Sequence, residues 1–233
     1  MTMCSGGMRI LIAAATDAEL ACLVRGIGPG RPLRHRLVEH TLNGRELHVL
    51  VTGIGMVATA SWCSRALTES RYDLAVNLGL CGSFDGSLAP GMVVHVVSDC
   101  LAELGAEDGD QFLTLRQLGL EDRMDSRLGA AALVNDHPPD IAALGRLPKV
   151  RGITVNTVHG HEPSIAATVE RLGPQIESME GAAFMYACLM HQVPFAQIRA
   201  VSNVVERRNR AAWKVREALD ALSRAALDVV TGS

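Results

Sequence analysis

One carboxylate opens the most unusual run of this chain. Glu180 stands in Ser178-Met179-Glu180-Gly181-Ala182-Ala183-Phe184-Met185-Tyr186-Ala187-Cys188-Leu189-Met190, a stretch otherwise small, apolar and long enough for a buried helix. A buried carboxylate without a partner is costly or gives up its charge, so a chain keeps one where something polar comes to meet it. The plain alternative has Ser178 capping the helix and Glu180 in its first turn, favoured by the helix dipole. Glu19, in Thr16-Asp17-Ala18-Glu19, follows a strand-like run. It fits either a cap or a carboxylate aimed into a cleft at the strand end. Asn203, after another strand-like run, is a common turn residue. Its planar amide also carries a donor and an acceptor that can bracket a purine edge.

The elements that must position these residues are legible as patterns. Residues 9–15 read as a buried strand and 17–25 as a helix with Leu20, Leu23 and Val24 on one face. Residues 34–40 and 45–52 flank Asn43-Gly44, a hairpin signal. A helix is expected over 56–69 and strands over 73–80 and 92–97. Residues 99–150 are mixed and polar, with Gly105, Gly109, Pro138 and Pro139 marking loops. Residues 152–158 are β-rich, and 162–172 are helical with Pro163 at a harmless early position. After the apolar helix come a strand over 194–201 and an amphipathic helix over 211–230. This alternation predicts an α/β fold, a three-layer αβα sandwich with a mixed central sheet. In such sheets ligands sit where loops converge at strand ends. The expected organisation is one domain over 8–233 after a short extension, 1–7.

Composition narrows the function classes. The 233 residues are 48% hydrophobic and 20% charged, which suits one globular unit with a large core. A net charge of −3 without a basic block predicts no nucleic-acid and no membrane partner. Six scattered cysteines without a CxxC pair read as core residues of a reducing compartment. With no secretory pattern before Met8 and no apolar run of about 18 residues, a cytoplasmic protein is expected.

Other motifs carry weaker chemical signals. Thr52-Gly53-Ile54-Gly55-Met56-Val57-Ala58 loosely fits a dinucleotide fingerprint. The acidic residue at the right spacing, Asp73, begins its strand instead of ending it, which excludes a nicotinamide site. The glycines still permit close backbone approach to a ligand or a neighbouring chain. Asn77-Leu78-Gly79-Leu80-Cys81-Gly82-Ser83 ends a central strand in a turn with exposed amides. His159-Gly160-His161-Glu162 lacks a second ligand cluster, so no metal is expected.

Together, Glu19 after the opening strand, Gly53-Ile54-Gly55, Asn77 to Ser83, Met179-Glu180-Gly181-Ala182-Ala183 and Arg199-Ala200-Val201-Ser202-Asn203 resemble the nucleoside phosphorylase and hydrolase superfamily. Their order is similar to its methylthioadenosine/S-adenosylhomocysteine nucleosidase branch. Thr154-Val155-Asn156-Thr157-Val158-His159-Gly160, Leu104-Gly105-Ala106-Glu107-Asp108-Gly109, and Ser202-Asn203 with Glu206-Arg207-Arg208-Asn209-Arg210-Ala211-Ala212-Trp213 resemble the futalosine hydrolases, of the menaquinone pathway through futalosine. The resemblance implies that Glu19 activates the attacking water and that Glu180, with the Met179 backbone nearby, binds the ribose hydroxyls. It places Asn203 where adenine-specific nucleosidases carry an aspartate. Gly82 and Val158 are expected beside the substrate, Glu103 and Asp108 are candidates to reach it, and no cofactor is required. A homodimer or larger assembly is implied.

Breaking an N-ribosidic bond builds positive charge on the sugar and negative charge on the base. One carboxylate can position water and take its proton while a second aligns the sugar. Asn203 can donate to O6 of a 6-oxopurine, which an aspartate would repel. One of Arg207, Arg208 and Arg210 is expected to pair with the benzoate of futalosine, although each also fits a solvated helix start. The loop Ala14 to Glu19 has two acids and no arginine, which favours water over phosphate. The alternatives are an adenine-type nucleosidase, a 6-oxopurine phosphorylase and a non-catalytic nucleoside-binding module.

Overall fold

The computed structural model describes residues 7–120 and 132–232. The expected extension therefore lies almost wholly outside the described residues, as does part of the mixed segment 99–150.

Strand β1 (Arg9–Ala14) is a parallel strand flanked on both sides. Its alternation sends Ile10, Ile12 and Ala14 into one core and Leu11 and Ala13 into another. Helix α1 (Asp17–Ile27) follows, then the short β2 (Arg31–Pro32) and the hairpin β3 (Leu37–Leu42) and β4 (Arg45–Val51). Asn43 and Gly44 turn this hairpin at φ of 51° and 77°, the positive values such a two-residue loop requires. Next come α2 (Met56–Glu69), β5 (Leu74–Ser83) and β6 (Val93–Leu101). The polar segment holds a hairpin of β7 (Gly105–Asp108) and β8 (Gln111–Thr114), then β9 (Leu133–Val134) and the one-turn α3 (Ala142–Gly145). The remainder is β10 (Lys149–Thr154), α4 (Glu162–Leu172), β11 (Ile176–Ser178), α5 (Gly181–His191), β12 (Phe195–Val204) and α6 (Val215–Thr231).

The strands form a mixed sheet in the order β11-β10-β6-β12-β5-β1-β4-β3-β2. At one end β11 returns to pair antiparallel with β5, through Ile176 opposite Ser83 and Glu177 opposite Gly82. That end curls closed around Cys81, Val94, Val96, Val150, Ile176 and Val201. Helices α1 and α6 cover one face, burying Leu20, Leu23, Leu222, Ala226 and Val229 against β1, β5 and β12. Helices α2 and α5 cover the other, with Cys63, Ala66, Phe184, Met185 and Cys188. Helix α5 is apolar all round because it is enclosed. Among the described residues no helix is long and apolar enough to cross a membrane.

Three expectations need correction. The β-rich stretch 152–158 is a strand only over Lys149–Thr154; Val155 to Val158 leave the sheet and run towards the cavity described below. The expected turn residue Asn203 lies within β12. Ser178 does not cap α5. It ends β11, Glu180 itself is the N-cap residue, and the Gly181 amide donates to Ser178 Oγ at 3.3 Å.

Candidate active site

The loops after β1, β5, β10, β11 and β12 enclose a cavity of about 460 Å³, within the size range of nucleoside-like ligands. Glu19, Gly82, Val158, Met179, Glu180, Asn203 and Arg208 all line it. Glu103 and Asp108 are not among the lining residues; Glu103 accepts the Asn156 amide at 3.0 Å.

Glu19 is held by a capping box. Its Oε2 accepts from the Thr16 amide and hydroxyl, each at 2.9 Å, and its Oε1 accepts the Leu80 amide at 3.2 Å. The capping and cleft roles are therefore one arrangement. Three donors occupy a carboxylate with about four lone-pair sites, fixing an acceptor at the cavity wall. Gly79 makes room for it, since a Cβ there would stand 3.2 Å from Glu19 Oε1 and 3.0 Å from Arg199 Nη1.

Glu180 reaches from the start of α5 to the glycine loop. Its Oε1 accepts the Gly55 amide at 2.9 Å. The glycines thus approach the chain's own carboxylate, where the sequence left open a ligand or a neighbouring chain. Burial pushes the Glu180 carboxyl up, against the opposing pull of Arg199 and the Gly55 N–H. Arg199 is fully buried and donates to Asn77 Oδ1 and, at 3.3 Å, to the Ile198 carbonyl. Asn77 is itself anchored by donating to the Ala13 carbonyl at 3.0 Å. Sequence reasoning quoted Arg199 but gave it no role. The available signal was a cation inside an apolar strand, Phe195 to Val201.

Asn203 is oriented by its neighbours. Its Nδ2 donates to the Val204 carbonyl at 2.9 Å, and its Oδ1 accepts from Ser202 Oγ at 2.7 Å. The reverse orientation would set two oxygens against each other at Val204. A primary amide has two N–H donors and two lone pairs, so one of each stays available.

The N-terminus of α5 rests on a buried network. Thr154 Oγ1 donates to Asp99 Oδ1 at 2.9 Å and accepts the Ala182 amide at 2.7 Å, while Gln197 Nε2 donates to Asp99 Oδ2 at 2.9 Å. Gly181 is required here, because a Cβ would fall 2.1 Å from Asp99 Oδ2. Burial pushes the Asp99 carboxyl up to about 6, against these donors. A folded-state value above the usual 3.8 means the folded protein holds this proton more tightly than the unfolded chain. The stability it contributes is present below about pH 4 and is lost as pH rises through about 6, a change of about 3 kcal/mol. Urea unfolding is expected to show the wild-type advantage over Asp99→Asn shrinking by that amount between pH 4 and pH 7. A constant gap would contradict it.

His159 and Glu177, which the sequence reading gave no catalytic part, also line the cavity. His159 Nδ1 lies 2.6 Å from Glu177 Oε2. His161 precedes α4 as its N-cap residue, so the two histidines do not act as a pair. Among the described residues, Glu39, Glu46 and His48 bring potential metal-ligand atoms within 4.8 Å of one another. They sit on β3 and β4, outside the cavity lining, and Arg31 and Arg9 already pair with the two carboxylates.

Residues 9–231 match the family model of the phosphorylase superfamily. A futalosine hydrolase of Streptomyces coelicolor is 35% identical over 227 residues, covering 94% of this chain and 93% of that protein. One from Thermus thermophilus is 33% identical over 190 residues, covering 79% and 81%. In fold, the chain is similar to a 5′-methylthioadenosine/S-adenosylhomocysteine nucleosidase of Colwellia psychrerythraea solved with adenine, at a TM-score of 0.80, 22% identity and coverage of 97% and 96%. It is also similar to a futalosine hydrolase of Helicobacter pylori, at a TM-score of 0.78, 15% identity and coverage of 97% and 98%. The chain belongs to the phosphorylase superfamily and, within it, to the futalosine hydrolases.

Proposed function

We propose that this protein hydrolyses the N-ribosidic bond of futalosine, releases hypoxanthine, and so serves menaquinone biosynthesis. The observation that carries the choice of base is the oriented amide of Asn203. Its spare N–H suits the O6 oxygen and its spare lone pair suits a protonated N7. Adenine offers an amino group where this N–H points, and a buried mismatch of that kind discriminates strongly.

Glu19 holds water below the anomeric carbon and takes its proton as the C–O bond forms. Glu180, fixed by Gly55, binds the ribose hydroxyls and faces the charge that grows on the ring. Arg199 opposes the rise that burial and the Glu19 charge impose on the Glu180 carboxyl. Arg208 is the only Arg or Lys among the described lining residues, and its guanidinium carbon lies 5.2 Å from the Trp213 ring centroid. That stacking steadies it to pair with the benzoate. Arg207 borders a separate groove beside α4, and Arg210 lies in the 3-10 turn 210–212.

The test is to incubate the purified protein with futalosine, inosine and methylthioadenosine, with and without phosphate. Hypoxanthine should appear from futalosine at a rate independent of phosphate. Release that requires phosphate, or release of adenine alone, would contradict the reading.

A further inference from the structure

The base end of the cavity lacks one function. When the C1′–N9 bond breaks, its electron pair stays on the purine, which needs a proton to leave as a neutral base. Asn203 carries no acidic proton, and Glu19 and Glu180 are committed to water and sugar.

The sheet register supplies a third carboxyl. On β5, Gly82 lies between two strand partners, Asn203 on β12 and Glu177 on β11. A Cβ at residue 82 would stand 3.3 Å from Asn203 Nδ2 and 3.5 Å from Glu177 Cγ. The amide and the carboxyl thus stand on either side of Gly82, where a Cβ would also fall 2.8 Å from the Val205 Cγ2 methyl, and Gly82, Asn203 and Glu177 all line the cavity. Glu177 is only 4% exposed. Its Oε1 accepts the His159 amide at 3.1 Å and its Oε2 faces His159 Nδ1 at 2.6 Å. His159 is fixed in turn by Thr168 Oγ1, 2.9 Å from Nε2, and by an edge contact with the Phe84 ring. Burial pushes the Glu177 carboxyl up, Glu103 adds to this, and His159 opposes it. A buried carboxyl with one well-placed partner at a cavity wall is suited to giving up a proton.

We propose that Glu177 is the acid that protonates the departing base, with His159 as its positioning residue. This rests on the reading of the site as a futalosine hydrolase. As C1′–N9 breaks, the purine keeps the bonding pair and N7 takes the proton of the Glu177 carboxyl. The water oxygen bonds to C1′ and its proton passes to Glu19. The Glu177 carboxylate left behind accepts both N–H groups of His159. Solvent then returns a proton to Glu177 and removes one from Glu19, so the net change is the addition of one water.

The test compares wild type, Glu177→Gln, Glu177→Asp and His159→Gln for futalosine turnover, with hypoxanthine binding measured by calorimetry. Loss of a general acid typically removes about 10²-fold or more. Glu177→Gln is expected to lower kcat by about that factor, while KM and the hypoxanthine Kd stay within about threefold. Glu177→Asp, which keeps an acidic proton, should recover about tenfold of the loss, and His159→Gln should cost about tenfold. A Glu177→Gln kcat within about threefold of wild type would overturn the proposal. So would a KM and hypoxanthine Kd that rise as far as kcat falls, or an aspartate variant no better than glutamine. If wild type released no hypoxanthine from futalosine, the proposed function itself would fail, independently of these comparisons.

Discussion

Glu19→Gln is expected to lower kcat on futalosine by about 10³-fold, with KM nearly unchanged. The magnitude is that of losing a general base, the role proposed for Glu19. The substitution is close to isosteric, so sugar and base contacts persist. It carries a structural cost, because the glutamine amide cannot satisfy Thr16 and Leu80 together. Its oxygen can keep the Thr16 donors, but its NH2 then faces the Leu80 N–H. One buried donor is left unpaired, a loss of about 1–3 kcal/mol of stability. Steady-state kinetics and a thermal melt on the same preparation separate the two effects. A variant that stays folded and turns over within about tenfold of wild type would remove Glu19 from the chemistry.

Asn203→Asp is expected to lower kcat/KM for futalosine by about 10²- to 10³-fold, equivalent to about 3–4 kcal/mol. An ionised aspartate has no N–H for O6. It would also set an oxygen against the Val204 carbonyl, which Nδ2 now approaches at 2.9 Å. The same exchange should improve the relative rate on 6-amino purine nucleosides. The check is kcat/KM on matched 6-oxo and 6-amino substrates for both proteins. An unchanged ratio would show that the amide does not read position 6.

The positions of the principal candidates were legible because each follows a strong local pattern. Glu19 follows an apolar strand, Glu180 opens an apolar helix, and Asn203 follows the continuous buried run Phe195 to Ser202 of its strand. What escaped was set by contacts distant in sequence. Glu177 lies on the three-residue strand β11, too short to produce a periodic signal. Its pairing with His159 and its place beside Gly82 exist only once β11 closes the sheet onto β5. Arg199 meets Asn77 across 122 residues. Strand β10 was misplaced because Lys149 and Arg151 are exposed, so its first half reads as loop. The β-branched Val155, Thr157 and Val158 suggested a longer strand where the backbone turns towards the site. The hairpin of β7 and β8 was hidden by polar composition, with Gly109 supplying its positive-φ turn.

The most direct measurement is the ratio of kcat/KM for futalosine to that for aminodeoxyfutalosine, taken on wild-type protein without phosphate. The two substrates share the benzoate arm and differ in the oxygen or nitrogen at position 6 of the base. A neutral amide held by Ser202 and Val204 predicts a preference of at least about 10² for the oxo compound. Equal rates, or a preference for the amino compound, would contradict the account.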